Sequence, residues 1–253
     1  MAIKFNPSIV TNGLVGCLDA ADLSSYSSGS ATWSDMSTGH SDFVFQNDST
    51  TKNIAHFTDD KGLLMDGSDD FLLGNNASGG FQNGLNTGGT NGNFTFDIWF
   101  KFNAGDSNAS GAGIIGTTAV TDGDIHSANG FNSQLTVDAS NNLKIFTFNG
   151  GGAEDTDTGF NVSTGEIAHV GIVHNALTSR AGFKNGELSA FVSKWATQNF
   201  AHIVLAGDHS EGGSFLAHDH SNITYYCVKL YNRALSAKEV KQNYDALRGR
   251  FGV

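Results

Sequence analysis

The sequence predicts an all-β fold that ends in one α-helix, and three observations support this prediction. Glycine accounts for 32 of the 253 residues and phenylalanine for 19, a combination typical of short apolar strands joined by tight turns. Proline occurs once, at Pro7, so strand interiors keep their backbone N–H donors. A helix-start signal lies near the carboxyl end, at residues 236–239.

The strand candidates follow one another at short intervals. The clearest is 93–103, in which large apolar side chains recur at every second position and Trp99 falls on the opposite face. Both faces of this strand are therefore expected to be covered. Asn185-Gly186, between two short runs, indicates a two-residue type I′ hairpin turn. The other predicted strands are Leu14–Asp19, 42–46, 62–66, 70–73, 134–138, 143–148, 168–173, 181–184, 201–206 and 223–231.

The predicted helix covers about 237–247. Ser236 and Glu239 have the spacing of a capping box, in which each side chain bonds the backbone N–H of the other residue. Gly249 is expected to end the helix. An apolar stripe at helical spacing would pack on the strands; its members are Val240, Tyr244 and Leu247.

Charge and composition exclude some classes of function. The net charge is −11 with only 14 Lys and Arg residues, too few to neutralise a nucleic-acid backbone, so nucleic acid is excluded as the main partner. The sequence contains no run suited to membrane insertion and no signal-peptide pattern, so we expect synthesis in the cytoplasm and no Sec export. Neither a linker nor a composition shift divides the chain, which predicts a single domain over 1–253.

The two cysteines, Cys17 and Cys227, are too few for a disulfide framework. Both lie in apolar, strand-like runs, which favours buried free thiols. Because first and last strands often pair in sandwiches, a Cys17–Cys227 bridge remains the alternative.

Seven segments occur in the order found in one known family: 13–20, 32–39, 64–71, 94–100, 168–173, 185–188 and 228–236. The last of them, VKLYNRALS, matches that family's closing strand and helix start almost without a break. Together they resemble the concanavalin A-like (laminin-G-like) lectin and glucanase domains. The resemblance implies a two-sheet antiparallel jelly-roll sandwich with a short C-terminal helix.

The end of the chain is more specific. Residues 243–251, NYDALRGRF, after YNRALS, resemble the endings of virion proteins of tailed phages, T4-like and cyanobacterial phages in particular. This resemblance implies a virion structural protein that is made in the host cytoplasm and contacts other capsid or tail proteins. A homo-oligomer is compatible with this role.

Catalysis is disfavoured by the distribution of glutamates. Glucanases of the resembled family carry a Glu-x-Asp-x-x-Glu strand, which places nucleophile and acid on one face of the sheet. No glutamate pair has that spacing here; the glutamates are at 154, 166, 187, 211 and 239. The acidic cluster at 154–157 follows three glycines and is interpreted as a solvated loop. We therefore expect that the protein is not an enzyme, although an aspartate pair elsewhere could serve a glycosidase.

A candidate metal site lies before the closing strand. Asp208, Glu211 and Asp219 supply the oxygen ligands that Ca²⁺ prefers, while His218 and His220 suit Zn²⁺ or Ni²⁺ better. The alternative is a surface loop without metal.

A glycan site would need an exposed aromatic side chain among polar groups. Trp195, near a turn, is the candidate ligand-binding residue, with a place in the core as its alternative. Trp33 is predicted to lie in the core.

These observations favour a phage virion structural protein, capsid-decorating or associated with the tail or fibres, that presents a lectin-like jelly roll on the particle surface. The alternative is a carbohydrate-binding lectin module for host-surface glycans. A polysaccharide-cleaving enzyme ranks third.

Overall fold

In a computed structural model of the chain, most strands pair into two antiparallel sheets that face each other, and a helix follows the last strand. The structure describes residues 7–37, 42–47, 56–68, 70–74, 93–104, 112–118, 132–148, 153–175, 179–193, 202–206, 208–209, 217–218 and 221–253. Within these ranges, no helix combines the length and apolarity that crossing a bilayer requires.

The strands of the first half of the chain are β1 (Leu14–Asp19), β2 (Thr32–Trp33), β3 (Phe43–Asn47), β4 (His56–Phe57), β5 (Leu63–Asp66), β6 (Asp70–Gly74), β7 (Phe94–Ala104) and β8 (Ala112–Thr118). Those of the second half are β9 (Asn132–Val137), β10 (Asn142–Phe148), β11 (Ala153–Asn161), β12 (Ile167–Asn175), β13 (Ser179–Lys184), β14 (Glu187–Leu188), β15 (Val192–Ser193), β16 (His202–Leu205), β17 (Asp208–His209), β18 (Ala217–His218) and β19 (Asn222–Tyr231). The helix α1 spans Ala237–Phe251.

The first sheet has the strand order β14-β13-β12-β7-β19-β5-β4, with β1 also paired to β19 and β15 to β13. The second sheet has the order β11-β10-β9-β8-β16-β6-β3-β2, and β17 pairs with β18 alone. Each described strand pair is antiparallel, and the pairs at the centre of both sheets join strands that are distant in sequence, β7 with β19 and β16 with β6, as in a jelly roll. The predicted two-sheet sandwich with a C-terminal helix is confirmed.

The core lies between the sheets and combines aliphatic side chains with aromatic rings. Alternation along β7 points its apolar side chains inward, where each is at most 1% exposed; they are Phe94, Phe96, Ile98, Phe100 and Phe102. Trp33 is also fully buried in this core, as predicted.

Helix α1 covers the outer face of the first sheet. Trp99, on the outer face of β7, stacks on Tyr244 and Phe251 at ring-centroid distances of 5.7 and 4.4 Å. The predicted cover on both faces of this strand is therefore confirmed. The capping box is also present, since Glu239 accepts the backbone N–H of Ser236 at 2.9 Å.

Three details differ from, or refine, the sequence-based expectations. The helix does not end at Gly249 but continues to Phe251, and Gly252 adopts the left-handed cap at φ 71°. Residues 154–157 are not a loop but part of the edge strand β11. Strands β5 and β6 do not pair with each other, because the turn between them carries the chain from one sheet to the other.

Both cysteines are free, as favoured from the sequence. Cys17 pairs in register with Lys229, and Cys227 with Asp19, so the two thiols lie on a diagonal between β1 and β19. A diagonal of this kind separates Cα atoms by about 7–8 Å, beyond the usual reach of a disulfide. Burial raises the pKa of Cys227 to about 12, which keeps this thiol protonated and unreactive.

Candidate functional site

The residues predicted to bind metal or sugar fall largely outside the described part of the chain. Trp195, Glu211, Asp219 and His220 lie outside the described residues. Asp208 and His218 are directly opposite each other in the β17–β18 ladder, and only their backbones are described. Among the described residues, no group of three His, Cys, Asp or Glu side chains could hold a metal ion. The metal and Trp195 sites stay predictions.

An open pocket of about 390 Å³ lies where β11, the β13–β14 hairpin and α1 meet. We call it the hairpin pocket and define it by its lining residues, which are Phe160, Lys184, Asn185, Glu187 and Tyr244. Two of them are aromatic and three present an amine, an amide and a carboxylate. This composition is typical of small-ligand sites, in which flat apolar surface is combined with a few polar groups.

The hairpin turn fixes the position of Asn185. Asn185 and Gly186 have φ of 48° and 84°, the type I′ geometry that the sequence predicts. The turn is held to β12 twice: the N–H of His169 donates to Asn185 Oδ1 at 3.0 Å, and the N–H of Asn185 donates to the His169 carbonyl at 2.7 Å. The Asn185 Nδ2 group has no hydrogen-bond acceptor among the described residues, so it can donate to a ligand.

Glycine is required at the next position because the turn rests directly on α1. A Cβ at Gly186 would lie 2.8 Å from Lys241 Cδ and 3.1 Å from Tyr244 Cβ. The helix and the hairpin are therefore in van der Waals contact, and together they form one wall of the pocket.

The two charged lining residues are in different situations. Lys184 Nζ lies 2.6 Å from Glu166 Oε1 and also donates to the Asn161 carbonyl, so its charge is already compensated. The side chain of Glu187 is exposed and has no ion pair or hydrogen bond within the part of the chain that the structure describes. Its carboxylate is free to accept hydrogen bonds from a ligand.

Tyr244 comes from α1 and connects the pocket with the sandwich. Its ring stacks on Trp99 with an angle of 5° between the planes. Lys241 Nζ and Arg248 Cζ lie 5.4 and 5.8 Å from the ring centroid, within cation–π distance. The position of this ring therefore depends on how α1 is seated.

A buried polar network holds α1 on the first sheet. Asp97 accepts from Lys229 Nζ at 3.1 Å and from Asn243 Nδ2 at 2.7 Å, and His169 Nε2 lies 3.0 Å from the same carboxylate. Asn243 Nδ2 also donates to the Tyr231 hydroxyl at 2.9 Å. All five side chains are almost fully buried.

The network also ties in the amino-terminal segment, because the Val10 N–H donates to Asn243 Oδ1 and Tyr231 donates to the Val10 carbonyl. Burial alone would raise the pKa of Asp97, but the adjacent Lys229 and His169 outweigh it and hold that pKa well below its usual range. Burial would lower the pKa of Lys229, and Asp97 more than reverses this effect. Asp97 and Lys229 therefore stay ionised under the helix.

Comparison with known proteins shows the fold. No protein-family model matches the sequence, and no curated protein sequence matches it. Sialidase from Trypanosoma rangeli, solved in complex with sialic acid, is similar at 17% identity and a TM-score of 0.66, over 96% of this chain but 34% of the sialidase chain. The chain thus spans about a third of the sialidase's length.

Two other solved domains are also similar. Domain 4 of a GH43 extracellular arabinanase from Geobacillus stearothermophilus, solved with arabinotriose, has 10% identity and a TM-score of 0.65, over 91% of this chain and 98% of that domain. The binding domain of botulinum neurotoxin serotype D/C VPI 5993 has 14% identity and a TM-score of 0.61, over 93% of this chain and 52% of the other. The chain has a lectin-like β-sandwich fold.

These comparisons correct one expectation. The interpretation that the protein is not an enzyme is wrong as stated, because sialidases and part of an arabinanase are among the structures with this fold. The interpretation rested on the missing Glu-x-Asp-x-x-Glu strand, and glycosidases do not all use that pair. At 10–17% identity the likeness shows the fold alone, so no catalytic residue is carried over.

Proposed function

We propose that this chain is a carbohydrate-binding, lectin-like module that holds a glycan in the hairpin pocket. The observation that carries the proposal is the lining of that pocket, in which two aromatic rings flank an amide, a carboxylate and an amine. Aromatic rings offer flat apolar surface to the C–H face of a sugar ring, and the polar groups pair with its hydroxyls. A volume of 390 Å³ lies within the range of about 300–1,000 Å³ usual for small-ligand sites.

The arabinanase domain supports the same proposal. It matches this chain over nearly its whole length and was solved with arabinotriose. Host-surface glycans are the ligand class that this proposal assigns to the chain.

A glycan array probed with the full chain, with and without Ca²⁺, tests the proposal. We expect binding that falls at least ten-fold in Asn185→Gly, because this variant keeps the positive φ of the turn but removes the side-chain amide. Asp59→Asn, in an exposed turn remote in sequence from the pocket, is the matched control and should bind like the unmodified chain. Absence of binding to every glycan in both conditions would refute the proposal.

The second proposal concerns location. The carrying observation is the sequence ending at 231–251, which resembles the endings of tailed-phage virion proteins. In this proposal a concanavalin A-like (laminin-G-like) sandwich decorates the capsid or belongs to the tail or its fibres, attached to other virion proteins. It is compatible with glycan binding if the attachment to the particle leaves the hairpin pocket accessible.

Mass spectrometry of purified virions tests the location. The chain should be detected at the copy number of a structural protein. Its absence from purified particles, together with its presence in the infected-cell lysate, would contradict the proposal.

A further inference from the structure

Building on the glycan-binding function proposed above, we infer that the hairpin pocket selects electrically neutral saccharides and rejects acidic ones such as sialic or uronic acids. In this inference the Glu187 carboxylate accepts hydrogen bonds from two neighbouring sugar hydroxyls. Asn185 Nδ2 donates a hydrogen bond to a ring oxygen or a hydroxyl oxygen of the sugar. The inference rests on how the charges around the pocket are paired.

The cation that lines the pocket is already paired. Lys184 and Glu166 are 2.6 Å apart, and their side chains are only 17% and 26% exposed, which limits competition from water and salt. A sugar carboxylate would have to displace Glu166 to gain the full attraction of Lys184. Acidic ligands thus meet no ready cation in the lining.

The two cations on the helix side share one carboxylate, and the charges around the pocket sum to zero. Lys241 and Arg248 flank Tyr244, and both contact the carboxylate of Asp245, at 2.5 and 3.4 Å. Together with Lys184, Glu166 and Glu187, these side chains provide three positive and three negative charges around the pocket. No surplus positive charge remains to attract an anion, and the whole chain carries a net charge of −11.

The unpaired lining group is an anion. Glu187 is exposed and without a partner among the described residues, and an ionised carboxylate only accepts hydrogen bonds. A sugar with two adjacent hydroxyls can donate one hydrogen bond to each oxygen of the Glu187 carboxylate. A sugar carboxylate would instead place two negative charges in contact. Charge reversal at Glu187 should therefore reverse the preference of the pocket.

The test compares neutral glycans with their sialylated or uronic-acid counterparts on one array, using the full chain, Glu187→Lys and Glu187→Gln. The unmodified chain should prefer the neutral member of each pair by at least ten-fold. Glu187→Lys should shift the ratio at least ten-fold towards the acidic member. Glu187→Gln should weaken neutral binding without creating acidic binding, because the amide replaces one acceptor by a donor.

Asp59→Lys is the matched control, since it changes the net charge equally at an exposed position in the turn after β4 and should leave the ratio unchanged. Thermal unfolding of each variant confirms that it is folded. Equal or stronger binding of the acidic members to the unmodified chain would overturn this inference while leaving glycan binding intact. Binding to no glycan at all would instead refute the proposed function and this inference with it.

Discussion

Replacing Asp97 with alanine should lower the free energy of unfolding by about 3–5 kcal/mol, the usual result of leaving one partner of a buried ion pair uncompensated. The side chains of Asp97 and Lys229 are 0% and 3% exposed, so neither water nor salt can replace the lost partner. Asn243 Nδ2 loses one of its two acceptors in the same variant. For a chain of this size, about 2–4 °C per kcal/mol converts the loss to a fall in Tm of about 6–20 °C.

The double variant Asp97→Ala/Lys229→Met separates the ion pair from packing. Removing both charges should recover at least half of the lost stability, because no buried charge is then left unpaired. Urea unfolding followed by circular dichroism, on the four proteins of the double-mutant cycle, measures the coupling. An Asp97→Ala variant within about 1 kcal/mol of the unmodified chain, or a double variant no more stable than the single one, would contradict this expectation.

Three further predictions concern other parts of the fold. Burial and the nearby Arg180 lower the pKa of His174 to about 3. Between pH 6.5 and 3 the imidazole is therefore protonated in the unfolded chain but neutral in the folded one. The free energy of unfolding should fall as the pH drops through this range, by up to about 1.4 kcal/mol per pH unit. His174→Gln should flatten this part of the pH profile in urea titrations at pH 7 and 5; an unchanged slope would contradict the assignment. Gly171→Ala should lower the free energy of unfolding by about 1–3 kcal/mol in the same assay, because the added Cβ would lie 1.9 Å from the Phe96 carbonyl oxygen. An unchanged free energy would show that β7 and β12 are less closely packed. Ser236→Ala should cost about 1 kcal/mol through loss of the helix cap, whereas Ser236→Thr should cost less, and equal losses would show that the hydroxyl is not the cause.

The sequence predicts best where local pattern and tertiary environment agree. The alternation in β7, the Asn185-Gly186 turn and the Ser236 capping box are all found as predicted. Each is a short-range signal whose physical cause lies within a few residues: strand pleat, positive φ and unpaired helix N–H groups.

The interpretation of residues 154–157 as a loop is wrong because the environment of strand β11 is set by the opposite sheet. Its inward residues include Thr156 and Thr158, which face Arg180 and Gly182 of β13 and not an apolar core. A strand that is acidic outside and polar inside carries no apolar alternation, so its sequence resembles a loop.

The site could be predicted only in part. The turn at Asn185 and the stripe that includes Tyr244 were both identified, but as structural features, because their meeting depends on where α1 docks. Asp97 is a site residue that the sequence could have indicated. A single carboxylate within FTFDIWF faces the covered outer side of β7, and a buried carboxylate needs a partner there. Its partner Lys229 lies 132 residues away, a separation that local sequence cannot bridge.

NMR titration of isotope-labelled protein with the neutral glycan that binds best on the array tests most directly whether the hairpin pocket binds a glycan. We expect saturable shifts of backbone amides clustered at 160, 184–187 and 244, and in Asn185→Gly these shifts should be absent or should saturate with at least ten-fold weaker affinity. Saturable shifts centred on another part of the sandwich, with these amides unmoved, would contradict it.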